Sequence, residues 1–130
     1  MIITEIKQLQ LMCEEVKTIK EGEEIGAQLL KELTESENGI GLAANQIGIN
    51  KRVCVVNVKE PFVLINPRIA KKSEEQFMFA EGCLSFPGKH VRTGRHTSVT
   101  VEADNHEGKM VFTADSDKID DAFETACVQH

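Results

Sequence analysis

Three short stretches of this sequence hold residue types that can do chemistry. The first is Glu81-Gly82-Cys83-Leu84-Ser85-Phe86-Pro87-Gly88. A cysteine between Gly82 and a turn-forming Pro87-Gly88 is predicted on a loop or strand end, where its thiolate is reachable. There it is either a nucleophile, which needs a base nearby, or a metal ligand. Burial as a small hydrophobe is the third reading. The second stretch, NGIGLAANQIG over residues 38–48, satisfies the G-x-G-x-x-G/A pattern of dinucleotide loops. That pattern needs a strand before it and a helix after it; the order here is reversed, so nucleotide binding is not expected. A glycine-rich helix stop explains part of the segment. It leaves over the run of small residues that ends in Gln46. Small side chains let a peptide approach the backbone, and the Gln46 amide is a donor for a carbonyl oxygen. The third stretch is CVQH, residues 127–130. A helix that gives one histidine to a metal commonly gives a second four residues on, because both imidazoles then share a face. Taken alone, His130 reads more simply as a solvated helix end.

These residues need a scaffold, and the composition bounds it. A chain of 130 residues, 41% of them apolar, is long enough for one domain with a real core. Tryptophan and tyrosine are absent and phenylalanine occurs six times, so that core is mostly aliphatic. A formal charge of -6 argues against nucleic acid or an anionic membrane as partner. No run approaches the roughly 18 apolar residues of a membrane span, and MIITEIKQLQ meets a glutamate too early for a signal peptide. The expected location is the cytoplasm or an equivalent reducing compartment. Cys13, Cys54, Cys83 and Cys127 form no C-x-x-C pair and are expected to be free thiols.

The elements follow from periodicity. In EGEEIGAQLLKELTESENG, Ile25, Leu29 and Leu33 recur every four residues with Leu30 beside them, which predicts a helix stopped at Asn38-Gly39. Leu9, Met12, Cys13 and Val16 predict a shorter amphipathic piece before it. Strands are expected at 52–58, 62–67, 98–103 and 109–114, the last two joined as a hairpin through the turn-rich DNHEG. A final helix is expected from about Asp121, capped by that side chain with Glu124 three residues on. The order of helix, strands and helix predicts an α+β fold. It is read as a single domain over residues 1–130, with mixed or antiparallel strands packed around a C-terminal metal-binding helix.

Together the three stretches resemble the peptide deformylase family. Its motifs are a G-x-G-x-A-A-x-Q loop, an E-G-C-x-S loop and a Q-H-E-x-D-H helix. Here they stand as Gly39 to Gln46, as Glu81 to Ser85, and as Gln129-His130 alone, with LINP at 64–67 also matching. The likeness covers roughly residues 25–130. The sequence departs from it at the third motif, whose glutamate and second histidine are not present, so the chain reads as truncated within its metal-binding helix.

The resemblance implies removal of the formyl group from the N-terminal formyl-methionine of nascent polypeptides. It also implies a divalent metal, Fe(II) first and Zn(II) second, held by one cysteine and two histidines with an open position that activates water. By resemblance Cys83 and His130 are metal ligands. The Gln46 amide and the Leu84 backbone N–H would stabilise the oxyanion. Backbone groups at Ile40, Gly41 and Gly82 would hold the peptide like an added strand. Phe79, Phe123, Ala126 and Cys127 would line the pocket for the methionine side chain, although Phe123 and Cys127 serve equally well as core. The implied partners are formyl-methionyl peptides and nascent chains at the ribosome, without direct nucleic-acid or membrane binding. His90, His96 and His106 fall on expected loop or hairpin segments and are poor substitute ligands. Two rival readings stay open: a non-catalytic formyl-peptide binding module or inactive truncated homologue, and a thiol protein that acts through Cys83 without metal.

Overall fold

The computed structural model of the protein describes residues 2–36, 39–114 and 118–130. The helical stripe read from Ile25, Leu29 and Leu33 becomes α2 (Ile19–Glu35), with all three residues buried. Thr18 caps it by accepting from the backbone of Glu21 at 3.1 Å. Glycine in a helix interior costs about 1 kcal/mol relative to alanine. Here Gly22 and Gly26 have a packing reason. A Cβ at Gly22 would lie 2.6 Å from Ile65 Cδ1, and one at Gly26 would lie 2.7 Å from Val63 Cγ1, so the glycines let the helix settle directly on the sheet. That sheet has the order β1 (Gly41–Ala43), β2 (Val53–Asn57), β3 (Pro61–Ile65), all antiparallel. Because strand residues alternate faces, Val53, Val55 and Ile65 meet α2 while Cys54, Leu64 and Phe62 point the other way.

The opposite face packs on a second antiparallel sheet, β4 (Arg68–Lys72), β7 (Ser98–Glu102) and β8 (Met110–Thr113), in the order β4-β7-β8. Leu64, Val99, Val101 and Ala103 form the core between the two sheets, and Phe62 stacks on Phe112 with ring centroids 5.9 Å apart. A third unit is a long hairpin of β5 (Gln76–Cys83) and β6 (Phe86–His96). The last helix, α3 (Ile119–Gln129), packs on β8, β2 and β6. The result is the expected α+β arrangement with antiparallel strands around a C-terminal helix.

Several expectations are corrected. Only α1 (Ile6–Leu9) is helical in the first stretch, and Met12 is exposed while Val16 is buried. There the backbone leaves the helix so that Glu14 can bridge to Lys51 and Val16 can bond both ends of the Asn66 amide. α2 ends at Glu35, and Asn38 lies outside the described residues. Pro87-Gly88 is not the turn. The chain reverses at Leu84-Ser85, and Pro87 and Gly88 already belong to β6. His90 and His96 therefore lie on a strand rather than a loop. Finally, α3 begins at Ile119 with Lys118 as its cap residue, and Asp121 does not cap it: its carboxylate pairs with Lys59, with Glu124 3.8 Å from the same ammonium.

Candidate active site

A cavity of about 470 Å³ opens between the β1 edge, the β5–β6 hairpin and α3, and every site residue read from the sequence lines it. Ile40, Gly41, Gln46, Phe79, Gly82, Cys83, Leu84, Phe123, Ala126, Cys127 and His130 come together there from five elements or turns. Among the described residues, β1 is the outer strand of its sheet, and β5 pairs only with β6. Each therefore presents an unpaired strand edge to the cavity, the geometry in which an extended peptide adds as a strand.

Gln46 sits in a 3-10 turn, Ala44–Ile47, directly after β1. Its Oε1 accepts from the Ala43 backbone N–H at 3.0 Å, which decides which way the amide faces. The Nε2 group then donates to Ser85 Oγ at 3.1 Å and lies 3.5 Å from Cys83 Sγ. Ser85 is buried, so this donor is held by the scaffold rather than by solvent. Cys83 is the last residue of β5, the second of the two placements, loop or strand end, that its context predicted. Leu84 follows in the turn, and its side chain packs against the α2 core.

His130 closes α3, its N–H bonded to Ala126 O at 3.0 Å. Its Nδ1 is 2.8 Å from Glu81 Oε1 and 3.3 Å from an Arg95 nitrogen. One ring nitrogen cannot donate to a carboxylate and accept from a guanidinium at once. The shorter contact, to a group that only accepts, puts the proton on Nδ1. That leaves Nε2 with its lone pair free of the carboxylate, the arrangement by which an outer carboxylate orients a metal-binding histidine. Glu81 is fit for the task. Burial alone would push its carboxyl up, but hydrogen bonds from Arg95, Thr93 and His130 and the Arg95 charge bring it down to about 2, so it is ionised. The thiol of Cys83 and the Nε2 of His130 are donors suited to iron or zinc. Among the described residues no cluster of three His, Cys, Asp or Glu side chains surrounds one point, so these two would not by themselves complete a ligand set.

The end of the cavity at Phe79 and Phe123 is apolar. Phe79 and Phe123 meet edge to face with centroids 5.0 Å apart, and Ala126 is buried behind them. Cys127 lies over β1, donating weakly to Ile40 O at 3.4 Å, and burial pushes its thiol up to about 12. All four cysteines are free.

Sequence reasoning missed several residues here. Thr93 and Arg95 hold Glu81, and they lie twelve and fourteen positions from it with no spacing rule to betray them. Gln129 grips the backbone of His96 at both ends: Oε1 accepts from its N–H at 2.7 Å and Nε2 donates to its carbonyl at 2.8 Å. This clamp fixes the last turn of α3 to β6 next to His130. His90, read from the sequence as a poor substitute ligand, lines the cavity, and a Cβ on Gly82 would lie 3.2 Å from its Nε2. His96 and His106 point elsewhere, toward the carbonyls of Ser73 (2.6 Å) and Val63 (3.3 Å).

Comparison with known proteins finds one family. Its model, described as polypeptide deformylase, matches residues 2–130. The peptide deformylase of Pseudoalteromonas translucida is 36% identical over 128 residues, which cover 95% of this chain and 73% of that protein. That of Natranaerobius thermophilus is 47% identical over 96 residues, 72% of this chain but 61% of the relative. Among solved structures, a probable peptide deformylase from synechococcus phage S-SSM7 superposes with a TM-score of 0.83 at 33% identity, covering all of this chain and 89% of the other.

Proposed function

This chain belongs to the peptide deformylase family, a family of metal-dependent enzymes, and from that premise we propose that it hydrolyses the formamide of N-formyl-methionyl peptides to formate and a free amino terminus. The observation that carries the proposal is the pairing of His130 Nδ1 with ionised Glu81, in the cavity that also holds Cys83 and the fixed Gln46 amide.

Cys83 and His130 would hold the metal, Fe(II) or alternatively Zn(II), as two of its protein ligands. Such a metal would supply the Lewis acidity that makes water nucleophilic near neutral pH. The chain's own residues do the rest. Glu81 keeps the His130 ring turned with Nε2 outward. As the formyl carbon is attacked, negative charge gathers on its oxygen, and the Gln46 Nε2 and Leu84 N–H would donate to it there. The edges at Ile40, Gly41 and Gly82 would hold the peptide extended, with its first side chain among Phe79, Phe123, Ala126 and Cys127. The C–N bond then breaks, a proton of the attacking water passes to the leaving nitrogen, and formate and the free amine result. The substrates so reached are nascent chains, and the four free thiols suit a reducing compartment such as the cytoplasm.

Two variants test the proposal in the metal-loaded full chain. Cys83→Ala is expected to lose bound metal and formate release from formyl-Met-Ala, whereas Cys13→Ala keeps both; equal metal content in the two would overturn the ligand assignment. Gln46→Ala is expected to lower kcat by about 10²-fold or more while metal content holds, the loss typical of a removed oxyanion donor. A change confined to KM would make Gln46 a substrate anchor instead.

A further inference from the structure

Cys54 and Val128 are the two residues that line both this cavity and a second one behind it, of about 130 Å³. The position of Cys54 follows from the strand register. β2 sets it opposite Ala43 on β1 and Leu64 on β3, so its thiol points into the layer between the two three-stranded sheets. Its neighbours on β2 are Val53, Val55 and Val56, and cysteine is the one unbranched side chain among them. Val128 reaches the same place from α3. The rear cavity is otherwise lined by Leu64, Pro67, Ile69 and Val101, with Arg68 among them. The Arg68 guanidinium is engaged by Glu102 at 3.1 Å and Asp104 at 3.6 Å, so its charge is directed to carboxylates and not to the apolar space.

We propose that Cys54 and Val128 form the floor of the substrate's side-chain pocket. They limit the length of the first side chain, and the rear cavity is an apolar extension that takes unbranched alkyl chains longer than that of methionine once the floor is lowered. The inference rests on the proposed function for the identity of the ligand, but the floor itself is geometric. A neutral wall suits it: burial pushes the Cys54 thiol up to about 11, so no charge stands between the two apolar spaces.

The test compares formyl-norleucyl-Ala, whose side chain matches methionine in length, with formyl-(2-aminooctanoyl)-Ala, which is two methylenes longer. Each buried methylene is worth about 0.8 kcal/mol, or about fourfold, so two give about 15-fold. In Cys54→Ala the ratio of kcat/KM for the longer over the shorter substrate is expected to rise by about tenfold or more over the parent protein. Val128→Ala should shift it in the same direction, which covers the case in which Cys54→Ala fails to fold. The same ratio is read from dissociation constants of the two peptides on metal-free protein by calorimetry, which needs no turnover. An unchanged ratio in both variants, by either readout, would overturn the floor. Absence of formate release together with a shifted binding ratio would support the floor and count against the proposed function alone.

Discussion

Gly41 on one side of the cavity and Glu81 on the other are both fixed in place, but by different forces. The Gly41 wall, β1 with the 3-10 turn behind it, rests on the aliphatic core beneath α2, where Leu42 and Ala44 are buried against Leu29, Leu33 and Val55. Close approach is what shapes it. A Cβ on Gly39 would lie 2.8 Å from Leu33 Cδ1, and one on Gly41 would lie 2.5 Å from Cys127 Sγ. The Glu81 wall has little such packing. β5 and β6 lie chiefly against each other, and beside the Phe79–Phe123 ring contact what ties them to α3 is polar: Glu81, itself held by Arg95 and Thr93, to His130, and Gln129 to the His96 backbone. A packed wall tolerates a change that another residue fills. A wall of partly buried charges does not, because each partner left behind keeps its desolvation cost without its bond.

The largest expected effect therefore falls on the polar wall. Glu81→Ala removes the acceptor of His130 Nδ1 and leaves Arg95 without its carboxylate. Metal affinity should fall by about 10- to 100-fold, the range seen when an outer ligand partner is lost, and the midpoint of thermal unfolding should fall with it. Glu81→Gln keeps an acceptor for the imidazole and should lose less of both. Competition with a chromophoric chelator measures the affinity. Parent-like binding in Glu81→Ala would mean that the helix alone orients His130, and the contrast between the walls would be lost.

The apolar wall should break by crowding and mend by substitution. Gly41→Ala puts a methyl against Cys127 Sγ, an overpacking expected to cost about 1–3 kcal/mol with metal affinity unchanged. Adding Cys127→Ala frees that volume, so the double variant should recover much of the loss, and chemical denaturation of the four proteins gives the coupling. Additive losses would show that the strain lies in the β1 backbone rather than at the sulfur.

The same difference decides what could be read in advance. The demands of the packed wall are local, so glycines and alanines at fixed offsets before Gln46 announced it, just as the four-residue recurrence of Ile25, Leu29 and Leu33 announced α2. Cys83 was visible because a thiol beside glycine on a strand end is unusual for a core residue. The polar wall joins positions 81, 93, 95, 129 and 130 through their side chains and 96 through its backbone, and no period connects them. Pro87-Gly88 misled for a related reason. Pro87 has no N–H to give, but β6 admits it near its start, and Gly88 takes a positive φ of 75° there without forming the reversal. Asp121 looked like a cap because capping is a local pattern, whereas its partner Lys59 comes from the β2–β3 turn.

That last ion pair marks the smallest expected effect and the sharpest test of locality. α3 is tethered twice, near its N-terminal end by Lys59 to Asp121 and Glu124, and at its C-terminal end by Gln129 and His130. The Lys59 side chain is half exposed, and exposed ion pairs are weak and screened by salt. Hydrogen bonding to Asp121 raises its ammonium above the usual lysine value, so the stabilisation is present up to ordinary lysine titration and is lost only as pH rises beyond it. At neutral pH, Lys59→Ala should lower the unfolding midpoint less than Gly41→Ala does. That deficit should shrink in about 1 M salt, where the screening length falls to about 3 Å. Metal affinity should stay at the parent value, because the turn of helix that carries His130 is fixed by the Gln129 clamp and not by the far end. Gln129→Ala gives the converse, a loss of metal affinity that salt does not restore. If Lys59→Ala weakened metal binding as much as Glu81→Ala, α3 would be moving as one rigid rod, and the polar wall would extend along its whole length.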